Sequence, residues 1–167
     1  MIPNFAQFEE KAGLKFNDKN ILKQAFVHRS YINENKDSDL DHNERLEFLG
    51  DAVLELIITD YLYKKYPEKT EGELTSLRSE LVNANTLYEV GVNLGINEFL
   101  LLSKGESKDT GRARQYILAN TMEAIIGAIY LDQQYEKAKD FIYKNITPLI
   151  DKVIESGSWI DSKSLFQ

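Results

Sequence analysis

One stretch, HNERLEFLGDAVLELIITDYLYKK at residues 42–65, constrains the fold more than any other: it is apolar around nearly its whole circumference, yet carries Glu44, Glu47, Asp51 and Glu55. Its apolar residues recur at helical spacing, and a helix so apolar belongs at the centre of a core or an interface. The four acids fall at steps of three, four and four, which stacks their carboxylates along one face. Like charges at that spacing repel by roughly 0.2–0.5 kcal/mol per pair, and no Lys or Arg shares the stripe. A divalent cation would turn this repulsion into coordination. The alternative for any lone pair of acids is a solvated stripe on an otherwise buried helix.

A second constellation lies in YILANTMEAIIGAIYLD (residues 116–132), where only Asn120, Thr121 and Glu123 interrupt the apolar run before Asp132. Asn120 and Glu123 stand three apart on one helical face. A carboxylate in so apolar a helix is expensive to bury unless it is paired with a cation or bound to a metal. Together the two helices offer oxygen donors only. With no cysteine and two histidines in the chain, this donor set suits Mg2+, Mn2+ or Ca2+ and argues against zinc.

The same helical periodicity extends over most of the chain, with no sustained alternation bounded by hairpin turns, so the expected fold class is all-α. Helices are predicted over 4–12, 18–29, 42–65, 72–83, 85–94, 112–132 and 135–155. Asp18 is an N-cap candidate for the second and Gly95 a C′ residue for the fifth. Pro148 either starts a new segment or kinks the last helix. Segments 31–41 and 103–111 read as polar loops. At 167 residues, 43% hydrophobic and 28% charged, the chain fits one globular domain with a real core.

The absence of cysteine excludes disulfides and thiolate zinc, and points to a reducing, cytoplasmic setting. The N-terminus has no basic segment followed by an apolar one, and the longest apolar stretch is broken by acids, so neither export nor a membrane span is expected. The net charge of −7 runs against a nucleic-acid partner. Clustered cation-binding carboxylates also make a chain acidic, however. Between Tyr31 and Asp51 there are Glu34, Asp37, Asp39, Asp41, Glu44, Glu47 and Asp51, against Lys36 and Arg45.

The segment HNERLEFLGDAVL (42–54) closely resembles the signature of the ribonuclease III family. It is flanked in the family's order by AFVHRSY (25–31), EGELTSLRSELVNANTL (71–87) and ILANTMEAIIGAIYLD (117–132). The resemblance covers essentially the entire chain and implies the family's helical endonuclease fold over residues 1–158. It also implies a symmetric homodimer with the signature helices near the two-fold, and paired sites along a valley that holds double-stranded RNA. By the same resemblance, Mg2+, with Mn2+ as a substitute, would be held by Glu47 and Asp51 together with an Asp-x-x-Glu on a later helix. Here that motif is Asn120-x-x-Glu123. Asp51 and Glu123 take the catalytic positions, and Glu44 and Glu71 fall where the family places acids near the valley.

The implied activity is cleavage of duplex RNA in ribosomal and other structured precursors, leaving short 3′ overhangs, with no small-molecule cofactor. The Asn at position 120 leaves a neutral carbonyl oxygen of the same reach and one charge fewer. The alternative is therefore a catalytically impaired protein of this fold that binds RNA or ribosomal partners. Arg45 is a candidate ion-pair partner at the dimer seam, His28 a packed or capping histidine rather than a general base, and Gly50 a point of close packing. Residues 159–167, ending in DSKSLFQ, look like the start of a linker to a double-stranded RNA-binding module.

Overall fold

Two helices that share a backbone contact organise the chain. In a computed structural model that describes residues 1–160, α4 (Glu44–Lys65) and α8 (Arg112–Asn145) pack along one another at the centre. Around them stand α1 (Phe5–Ala12), α2 (Lys19–Ala25), α3 (Arg29–Glu34), α5 (Glu71–Val82), α6 (Ala84–Asn93), α7 (Lys104–Lys108) and α9 (Ile150–Ser156). α6 also lies on α8, α5 on α4, and α2 against α8. No strand forms among the described residues, and the all-α reading holds. The expected linker start at 161–167 lies outside the described residues.

α4 buries Leu46, Gly50, Val53, Leu54, Ile57, Ile58 and Leu62. α8 answers with Ile117, Leu118, Ala119, Met122, Ala124, Ile125, Ile126, Ala128 and Ile129. At their crossing a methyl group on Gly50 would overlap the Glu123 carbonyl and stand 2.8 Å from the Gly127 nitrogen. One on Gly127 would overlap the Leu46 carbonyl. Only hydrogen fits at either position, so the main chains of α4 and α8 rest on each other.

The Asp18 and Gly95 caps fall where the sequence put them, and α5 has a further cap that the sequence reading did not name. Asp18 accepts from the Asn20 amide, and Gly95 follows α6 with φ 68°. Thr70 and Glu73 form a reciprocal capping box on α5.

Four boundaries differ from expectation. The helix predicted over 18–29 stops at Ala25, because Val27 makes a parallel bridge with Leu101. The His28 amide donates to the Leu101 carbonyl (3.0 Å) and the Leu101 amide to the Phe26 carbonyl (2.9 Å). His28 then caps α3, its Nδ1 accepting from the Ser30 amide, which places a helix inside the expected 31–41 loop. The second expected loop holds α7 between Ser103 and Asp109.

α8 breaks at Gln134, as expected between 132 and 135, through a left-handed φ of 71° with ψ −174°. That conformation strains any residue with a β-carbon. The segment after the break ends at Asn145 rather than 155, and Pro148 starts a 3-10 turn (Thr147–Leu149) that leads into α9.

Candidate active site

Beside the glycine crossing, about two turns of α4 and one turn of α8 face each other. Glu44, Glu47, Phe48 and Asp51 from α4 and Asn120 and Glu123 from α8 line a single open cavity of about 410 Å³. Gly50 precedes Asp51, and the Glu123 carbonyl is the atom it touches, so the contact that joins the helices also brings their acids together.

The acids are under electrostatic pressure. Burial, then Asp51, Glu47 and Glu55, pushes the Glu123 carboxyl up to about 8. Burial, then Glu44 and Asp51, raises Glu47. None of Glu47, Asp51 and Glu123 has an ion-pair partner among the described residues. Two partly buried carboxylates, Glu47 and Glu123, held beside the exposed Asp51 without an ion-pair partner have the chemistry of a cation site, and the donors are oxygens throughout.

Among the described residues, no three His, Asp or Glu side chains already converge closely enough to cage an ion. The donors stand around an open space instead. Mg2+ fits such a site, because it keeps several of its waters and takes one or two carboxylates directly.

The remaining expected residues are placed less uniformly. Glu55 stays on the exposed side of α4, outside the cavity lining, and acts on Glu123 through its charge. Glu44 lines the cavity but is paired with Arg29 at 2.9 Å, a partner the sequence reading missed. Arg45 makes no ion pair among the described residues. Glu71 opens α5, accepts from the Thr75 hydroxyl at 3.1 Å, and lines a different cavity with Tyr63 and Arg78. Within one chain it does not reach the carboxylate cluster. His28 is a capping residue, its pKa lowered by burial.

The Ribonuclease-III-like family model matches residues 18–150, which include every residue of this cavity. The chain belongs to the ribonuclease III family. It is 43% identical over 164 residues to Ribonuclease 3 of Clostridium perfringens, covering 98% of this chain and 68% of that protein. It is 51% identical over 146 residues to Ribonuclease 3 of Protochlamydia amoebophila, covering 87% of this chain and 60% of that protein. The chain thus spans roughly three fifths to two thirds of these ribonuclease III relatives. Among solved structures, the nuclease domain of ribonuclease III from Campylobacter jejuni superposes with a TM-score of 0.77 at 38% identity, covering 89% of this chain and 97% of that one. The fold described above is therefore the ribonuclease III nuclease-domain fold.

Proposed function

We propose that this chain is a Mg2+-dependent endoribonuclease domain that cuts double-stranded RNA as a homodimer. The observation that carries this reading is the single cavity in which Glu47 and Asp51 of α4 face Asn120 and Glu123 of α8, with no Lys or Arg paired to these acids among the described residues. Bound there, Mg2+ (or Mn2+) supplies an activated water and neutralises charge on the scissile phosphate. Glu47, Asp51 and Glu123 would hold the ion with charge, and Asn120 would hold it through its carbonyl oxygen. Asp51 and Glu123 are the residues that would take the catalytic positions beside the ion. Arg29 keeps Glu44 turned along the rim.

Dimerisation has its own support. α4 leaves Phe48, Leu56 and Tyr63 83%, 58% and 72% exposed, and their spacing puts them on one face next to the acids. Pairing this stripe across a two-fold axis would cover it and set two carboxylate cavities in one valley. Glu71 would then belong to the valley of the assembled pair. The C. jejuni nuclease domain contains a region involved in dimer formation.

Duplex RNA fits as substrate because the A-form minor groove offers shape and 2′-hydroxyls to a wide valley. Two sites acting on opposite strands would leave short 3′ overhangs, as in maturation of ribosomal and other structured precursors in the cytoplasm. Incubation of a long RNA duplex with the protein, with and without Mg2+, tests the reading. Short duplex fragments should appear only with the metal, and duplex DNA should stay intact. An uncut RNA duplex at every Mg2+ concentration would favour the impaired RNA-binding alternative.

A further inference from the structure

Next to the carboxylate cavity is a second one with opposite chemistry. Asn83, Ala84, Asn85, Arg112, Gln115 and Tyr116 enclose about 320 Å³, with no carboxylate in the lining. Arg112, Gln115 and Asn85 are exposed, and Tyr116 is 52% exposed. Their side chains make no hydrogen bond or ion pair among the described residues. Arg112, Tyr116, Asn120 and Glu123 follow one another at steps of four, four and three, so they share one face of α8. Along the helix axis, Arg112 and Asn120 are separated by about 12 Å at 1.5 Å per residue. That distance is on the order of a few nucleotides of one strand, at about 3.4 Å of duplex axis each.

We propose that Arg112, assisted by the amides of Gln115 and Asn85 and the Tyr116 hydroxyl, grips the ribose-phosphate backbone of the RNA strand a few nucleotides from the bond that is cut. The inference rests on the reading of the neighbouring cavity as the cleavage site. A polyanion approaching Glu44, Glu47, Asp51, Glu55 and Glu123 meets repulsion until the metal is in place, and a guanidinium on the same face offsets it. The donor set matches the ligand. Arg presents a planar fork to a phosphate, while amides and a phenol hydroxyl suit phosphate and 2′-hydroxyl oxygens. No lining group coordinates a cation strongly or forms an apolar floor for a peptide.

The test uses single-turnover cleavage of an RNA duplex of defined cleavage position by the parent, Arg112→Gln and Arg112→Lys, together with phosphate-ethylation interference on the bound RNA. Among the described residues Arg112 has no side-chain partner to lose, so circular dichroism and molecular mass should not change. In Arg112→Gln the half-saturating protein concentration should rise about three- to tenfold, and the slope of log affinity against log salt should shrink by about one, at an unchanged plateau rate. Arg112→Lys should fall between the two. The parent should show interference a few nucleotides from the cleaved bond, and Arg112→Gln should lose it. An unchanged affinity, slope and interference pattern would overturn the proposal, as would a fall confined to the plateau rate. If the parent binds the duplex without cutting it, the cleavage reading fails on its own and the contact is judged from binding and interference. If the parent neither binds nor cuts, both fall.

Discussion

Glu123 is held among neighbours that all work against its charge: an apolar helix on its own side, and Asp51, Glu47 and Glu55 from across the crossing. On the proposed function, a group in that position serves the metal rather than the fold. Glu123→Gln should therefore abolish cleavage while the metal-free protein melts at the same temperature or higher, since a neutral amide relieves the repulsion. Asp51→Asn should be equally inactive and equally folded. Activity assays and thermal melts in chelator check both.

At Asn120 the expected outcome is graded. Asn120→Asp adds a charge to the cavity, so cleavage at sub-saturating Mg2+ should rise, and the gain should shrink as the metal saturates. Rate against Mg2+ concentration for the two proteins is the measurement. That Glu47 and Asp51 share one face of α4 and Asn120 and Glu123 one face of α8 was legible, because each is a polar interruption of an apolar helical run; picking out these four from Glu44 and Glu55 took the family resemblance. Arg29 was not. Its pairing with Glu44 depends on how the 26–29 segment turns, and helical periodicity carries no information about that.

At the scale of elements, the boundaries of α1, α4, α5 and α6 could be read to within two residues, because caps and apolar spacing agree there. The split between α2 and α3 could not, since its cause is a bridge from Val27 to a residue far along the chain, Leu101. The break in α8 has an identifiable set of braces. Asp132 accepts from the Asn17 and Asp18 amides at 2.8 Å each, and the Gln133 amide donates to the Lys15 carbonyl at 2.9 Å. These contacts hold Gln134 in its left-handed conformation. Gln134→Gly should relieve strain of about 1–3 kcal/mol, less the entropy that Gly gives the unfolded chain, for a net gain of about 1 kcal/mol in denaturant unfolding. Gln134→Ala should give none.

For Asp132, burial works to raise the pKa, but the bonds from Asn17, Asp18 and Gln133 outweigh it and hold the carboxyl below its ordinary value. Because the folded value is the lower one, the stability these bonds add is present above the unfolded pKa and lost as the pH falls through the folded one. Asp132→Asn should cost about 0.5–2 kcal/mol at neutral pH. The difference from the parent should close in acid, below the usual carboxylate range, as followed by urea titrations at several pH values.

For the molecule as a whole, the stripe of Phe48, Leu56 and Tyr63 distinguishes a finished monomer from half of a dimer. Phe48→Asp should convert a dimer at micromolar concentration into a monomer of unchanged helicity, as read by light scattering and circular dichroism. Cleavage should fall with it. The sequence marked α4 as needing partners on every side, and the single chain supplies them on one side only. The glycine crossing has a consequence for how this protein can change over time. The spacing between the two helices that line the carboxylate cavity is set by atoms that every amino acid shares, so mutation of the surrounding aliphatic side chains can loosen or tighten the core without being passed on to the cavity's oxygen atoms. The chemistry is thereby insulated from ordinary drift, at the expense of two positions, Gly50 and Gly127, at which no drift is tolerated.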